Sequence, residues 1–168
     1  AEDGGDFYVD TILGTYYISL NDQKEPFTNA KVRKALSLAI DRDYVANTIM
    51  QGTYEPAYNF VGPGIVDENG MFYDNANGGE RYISDDYEAN LEEAKQLMAD
   101  AGYPNGEGFP TIEYSANDAG YHIPVAEYVQ QAWGELGITV NINKVEWASF
   151  LPMRRAGDYD VSLSLIHI

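Results

Sequence analysis

The chain has 168 residues, enough for one domain or one lobe of a larger protein, and at 45% hydrophobic it can bury a core. Its 27 acidic residues against 10 basic ones give a formal net charge of -17, which argues against a nucleic-acid partner, because phosphate binding needs clustered Lys and Arg. There is no cysteine, so disulfides, thiolate nucleophiles and Cys-ligated metals are all removed.

No apolar run is long enough to span a bilayer, and no charged-then-apolar leader opens the chain. Starting at Ala1 without Met, it is expected to be either a processed form or a cut from a longer chain. Tyr16 to Leu20 is aromatic and β-branched and predicts a strand, closed by Asn21-Asp22 and Pro26. Thr28 or Asn29 can cap a helix with Val32, Ala35, Leu36 and Ala39 on one face. Asp41 restarts that helix, which turns Tyr44, Val45 and Ile49 inward and stops at Gly52. Thr53 to Ser84 shows no period and is expected to be a long irregular excursion wrapping outside the sheet.

Asp85-Asp86 opens the next helix, with Tyr87, Leu91, Ala94 and Met98 at helical spacing and Gly102 as its left-handed stop. After a loop at Tyr103 to Gly108, Thr111 to Ser115 alternates as a strand. His122 to Leu136 is a helix built on Val125, Tyr128, Val129 and Ala132, stopped by Gly137. Ile138, Val140 and Ile142 share one face of a further strand. Ala148 to Arg155 is a short helix ending at Gly157, and Asp158-Tyr159-Asp160-Val161 begins another strand. Strands alternating with helices predict an α/β lobe with a mostly parallel or mixed sheet flanked by helices.

Catalytic patterns find little support. There is no G-x-S-x-G elbow, and His122 and His167 are far apart in the chain. No H-E-x-x-H motif occurs, and Asp67-Glu68-Asn69-Gly70 lacks the spacing of a calcium loop and reads as a turn. More informative is Trp147, Leu151 and Arg154, which lie at i, i+4 and i+7 on one face of a short helix that follows a strand. An aromatic, an aliphatic and a guanidinium at the carboxyl end of a strand suit a peptide, giving an apolar wall and a charge for a carboxylate. The same spacing also fits a core role for Trp147 and Leu151 with Arg154 in solvent.

The runs Gly14-Thr15-Tyr16-Tyr17, Pro26 to Leu36 (PFTNAKVRKAL) and Ala39-Ile40-Asp41-Arg42-Asp43 resemble the peptide- and nickel-binding proteins that feed ABC importers, bacterial extracellular solute-binding proteins of family 5. So do Glu93 to Tyr103 (EAKQLMADAGY), Leu136-Gly137-Ile138 through Glu146-Trp147, and Gly157-Asp158-Tyr159-Asp160-Val161. These motifs occur in the family's order, and the oligopeptide-binding members are the most similar.

The resemblance implies one incomplete lobe of a type II periplasmic-binding-protein-like fold, with residues 1–162 forming part of the C-terminal lobe and the N-terminal lobe missing. It implies no catalysis and no cofactor. The implied partners are an oligopeptide ligand and ABC permease subunits, and the implied location is the periplasm or cell surface, with a lipid anchor as one option. Tyr17, Trp147, Leu151 and Arg154 fall on ligand-lining positions, and His122 falls beside another across a small gap. A dipeptide, nickel chelate, haem or sugar remains an alternative ligand, and a hydrolase an alternative class.

After Val161 the family continues into a Gly-Trp and Asp-Tyr motif whose aspartate receives a peptide's amino terminus, whereas this chain reads Ser162 to Ile168 (SLSLIHI). Leu163 to Ile168 is what CTG TCT CTT ATA CAC ATC encodes, the end of a transposase adapter used in DNA library preparation. Residues 163–168 are therefore expected to be a non-native tail, although Val161, Leu163 and Leu165 also alternate as a strand would.

Overall fold

The computed structural model describes residues 14–61, 65–68, 70–71 and 81–167. Strand β1 (Gly14–Leu20) is followed by helix α1 (Ala30–Leu38), whose N-cap Asn29 accepts the amide of Lys31 at 2.9 Å. Asp41 caps α2 (Arg42–Tyr44) by accepting the amide of Tyr44, and the chain winds on through a wider turn over Val45–Ile49. This restart follows the capping logic of a short acceptor side chain satisfying an otherwise orphaned N–H. Val66–Asp67 (β2) pairs antiparallel with Gly70–Met71 (β3), so Asp67 and Gly70 of the acidic segment expected to be a turn face each other across this pairing. The remainder of the expected excursion at 62–64, 69 and 72–80 lies outside the described residues.

Then come α3 (Tyr87–Asp100), β4 (Ile112–Asn117), α4 (His122–Gly134), β5 (Val140–Val145), α5 (Trp147–Ala156) and β6 (Val161–His167). The main sheet runs in the order β1-β6-β4-β5, with β4 parallel to both β5 and β6 and β1 antiparallel to β6. The mixed α/β sheet flanked by helices is the expected architecture, and Gly102, Gly137 and Gly157, all at positive φ, stop three of the helices named from sequence. The strands end later than expected: β4 runs on to Asn117, and β5 spans Val140–Val145 while Ile138 is buried just before it.

The connection from β4 to β5 and the connection from β5 back past β4 to β6 run in opposite directions across the sheet. Parallel crossovers keep one hand, so helices on opposite-going connections cover opposite faces of a sheet. The structure shows this. Ile112, Tyr114, Val140, Val161 and Leu163 form one core with α1, α3 and α4, in which the Trp133 indole donates to the carbonyl of Leu36 at 2.9 Å. On the other face lie Ser19, Ser162, Ser115 and Glu113, whose carboxylate accepts from Asn141 and Asn143 of the neighbouring strand. Helix α5 lies against that second face and presses the buried Phe150 towards it. β4 is thus the strand at which the connections reverse, the place where α/β sheets hold ligands.

Candidate functional site

At the carboxyl ends of β4 and β5 the structure opens a cleft of about 570 Å³. The last residue of β4, Asn117, and Asp118 of the following loop line it, and the loop leads into α4, whose first residue is His122. The end of β5 contributes Lys144, then Glu146 and Trp147, the last being the first residue of α5. Both helices begin at the cleft because each βα turn brings the chain out at the same edge of the sheet.

His122 Nδ1 lies 2.6 Å from Oδ1 of Asn117, and its ring centroid lies 5.5 Å from that of Tyr16 on β1. Partial burial pushes the His122 pKa below the ordinary histidine range, opposed by a hydrogen bond to the Asn117 backbone. Behind it the Tyr16 ring also meets Tyr54 at 6.0 Å. The hydroxyls of Tyr16 and Tyr114 are buried without hydrogen-bond partners, and burial pushes both phenols well above the usual tyrosine range.

Trp147 is 55% exposed and stacks on Phe150 at 6.0 Å between centroids. Leu151 and Arg154 are half-buried further along the same helix. Arg154 donates from Nε to Ser162 Oγ at 3.1 Å and from Nη2 to Ser19 Oγ at 3.4 Å, with its guanidinium 5.9 Å from the Phe150 ring. Tyr17, which shares the outer face of β1 with Ser19, meets Phe60 edge-on at 5.4 Å. The core reading of Trp147 therefore fails, and Arg154 is docked on the sheet and not simply solvated.

Of the residues expected from sequence, His122 and Trp147 come together at the cleft. Tyr17, Leu151 and Arg154 lie on the α5 side of the sheet beside it. Sequence reasoning missed Asn117, Asp118, Lys144 and Glu146. The available signal was their position immediately after an alternating strand, where βα turns face a ligand, and ending β4 at Ser115 hid it. Among the described residues no group of His, Asp and Glu could hold a metal ion, and no helix is long and apolar enough to cross a membrane.

An α/β sheet with opposed crossovers and an open cleft at its reversal strand describes one lobe of a periplasmic binding protein. The family model described as bacterial extracellular solute-binding proteins, family 5, middle, matches residues 1–167, and the chain belongs to that family. It is 35% identical over 156 residues to the periplasmic oligopeptide-binding protein OppA of Salmonella typhimurium, covering 92% of this chain and 27% of that protein. Among solved structures, a periplasmic oligopeptide-binding protein of Borrelia burgdorferi superposes with a TM-score of 0.77 at 31% identity, covering 92% of this chain and 29% of that one. Haemophilus influenzae OppA in complex with RPPGFSPFR gives a TM-score of 0.74 at 29% identity, covering 93% of this chain and 30% of that one. The chain thus spans roughly a quarter to a third of the length of these relatives. Family members are binding proteins and not enzymes, and the relatives named here are periplasmic solute-binding proteins.

Proposed function

We propose that residues 1–162 are part of the C-terminal lobe of the extracytoplasmic substrate-binding component of an ABC peptide importer. In this reading the lobe supplies one wall of a site that captures oligopeptides, and an N-terminal lobe of the same protein supplies the other. Closure of the two lobes buries the peptide and creates the surface read by the permease subunits. No bond is made or broken, so no cofactor is called for. The relatives named for oligopeptides, one of them solved with a bound peptide, support this ligand class.

The observation that carries the reading is the cleft at the reversal strand, with an indole left 55% exposed at its mouth. A large ring held in water on a rigid helix forgoes about 2 kcal/mol or more of burial, which a ligand or opposing wall recovers. Tyr17, Leu151 and Arg154 would extend that wall along α5, and His122 would face the ligand from α4. Mass spectrometry of small molecules co-purifying with the full-length protein tests the ligand class: mixed short peptides are expected, and a single haem, sugar or nickel chelate would overturn it.

Residues 163–168 are proposed to be adapter-encoded. Their backbone from Leu163 to His167 pairs with β1, and Leu163 is buried in the core. Ladder hydrogen bonds do not read side chains, and an apolar residue at an inward position is all that the pleat requires. The coding DNA decides the matter, since any codon set for these six residues other than the adapter's removes the proposal.

A further inference from the structure

We infer that Asn117 is a positioning residue that holds His122 as the Nδ1–H tautomer and so presents Nε2 to the cleft as a hydrogen-bond acceptor. This deepens the peptide-site reading above in its consequence for the ligand, but the tautomer itself is a property of the free protein.

The contact is local and constrained at both ends. Asn117 is the last residue of β4 and 5% exposed, so its backbone is set by the strand and its carboxamide is buried. His122 is the first residue of α4, and the Asn117 amide oxygen lies 2.6 Å from its Nδ1. The structure sets the carboxamide oxygen and not its nitrogen against the ring, at a separation slightly below the usual N–H···O range of about 2.7–3.2 Å. A carbonyl oxygen only accepts, so Nδ1 carries the proton. In a neutral imidazole the other nitrogen then has the lone pair.

Isolated neutral imidazole side chains favour the opposite form, with the proton on Nε2, so the fold selects the less common tautomer. The Tyr16 ring packs against the imidazole and its buried hydroxyl makes no hydrogen bond, so it does not compete for Nε2. His122 itself lines the cleft, with Asp118, Lys144 and Glu146 the charged groups beside it. A neutral His122 in this state accepts from a ligand amide N–H or ammonium and gives nothing to a ligand carboxylate.

The test is nitrogen-15 NMR of histidine-labelled protein at a pH well above the ordinary histidine pKa of about 6.5. The chain has 2 histidines, and a His167→Gln variant assigns the signals. The expected spectrum shows a proton-bearing Nδ1 and a lone-pair Nε2 for His122 in the absence of any peptide. Asn117→Asp, which keeps an acceptor oxygen, is expected to retain the proton on Nδ1, and Asn117→Leu to move the ring towards the Nε2–H form. A wild-type ring with its proton on Nε2 overturns the inference, as does an Asn117→Leu ring that keeps Nδ1–H. Should the Leu variant fail to fold, the wild-type and Asp spectra decide. Since no ligand enters the experiment, its failure would leave the peptide reading standing, and failure of the peptide reading would leave the tautomer intact.

Discussion

The side-chain amide of Asn21 donates to the carbonyl of Gly157 at 2.9 Å, joining the end of β1 to the end of α5 across 136 residues of chain. The same nitrogen donates to Tyr159 at 2.8 Å, the Asn21 oxygen accepts the amide of Gln23, and the Asn21 amide reaches the carbonyl of Asp160. One buried side chain thus fixes the α5–β6 turn, and with it the helix that carries Trp147 and Arg154. Asn21→Leu removes the donor and leaves two carbonyls unpaired, so a loss of about 1–3 kcal/mol is expected in urea denaturation. An unchanged midpoint would show that the turn is held by other means.

Gly106 and Gly137 bring two turns together backbone to backbone. A Cβ on Gly137 would sit 2.0 Å from the carbonyl oxygen of Asn105, and φ there is +79°. Gly102 also has positive φ but nothing within 4 Å of its Cβ position. Gly102→Ala is therefore expected to cost about 1–2 kcal/mol from the left-handed backbone alone. Gly137→Ala is expected to cost clearly more, because backbone must move. Equal melting temperatures for the two variants would contradict the close approach.

Burial lowers the His122 pKa in the folded chain, which sets a direction for acid stability. The unfolded chain takes up this proton first as pH falls, so the neutral ring's contribution is complete above about pH 6.5 and is lost as pH drops towards the depressed folded value. Many carboxylates titrate lower still, so the readout is the difference between wild type and His122→Gln. The wild type should lose more stability than the variant between about pH 7 and 5. Parallel pH profiles for the two would remove His122 as the source.

The helices were legible because their signals are local: Asn29 and Asp41 cap from adjacent residues, and Gly102, Gly137 and Gly157 terminate within a turn. Sheet order was not legible, since the pairing of β6 with both β1 and β4 depends on contacts far apart in sequence. The spacing of Trp147, Leu151 and Arg154 gave the helix face but not whether it met core or solvent. That was decided by Phe150, which takes the buried position and leaves the indole outside. Asn117 and Lys144 read as ordinary loop and strand polarity until β4 and β5 are placed side by side, with Asn117 opposite Val145.

The isolated 168-residue chain offers one wall of the proposed site, whereas a good pocket covers about 70–90% of its ligand. Weak binding of tri- to pentapeptides is expected, no tighter than about 1 mM. Its 2 tryptophans make this readable by fluorescence, because Trp133 is buried and Trp147 exposed. A saturable micromolar change in the Trp147 signal would mean that one lobe suffices.

Calorimetric titration of the full-length, two-lobed protein with mixed tri- to pentapeptides, beside its Trp147→Ala variant, tests the central claim most directly. A central aromatic anchor is worth about 2 kcal/mol or more, so the variant should bind roughly thirty-fold more weakly or worse while melting at nearly the wild-type temperature, its indole being exposed. Peptide affinity that is the same in wild type and variant would contradict the placement of the site in this cleft.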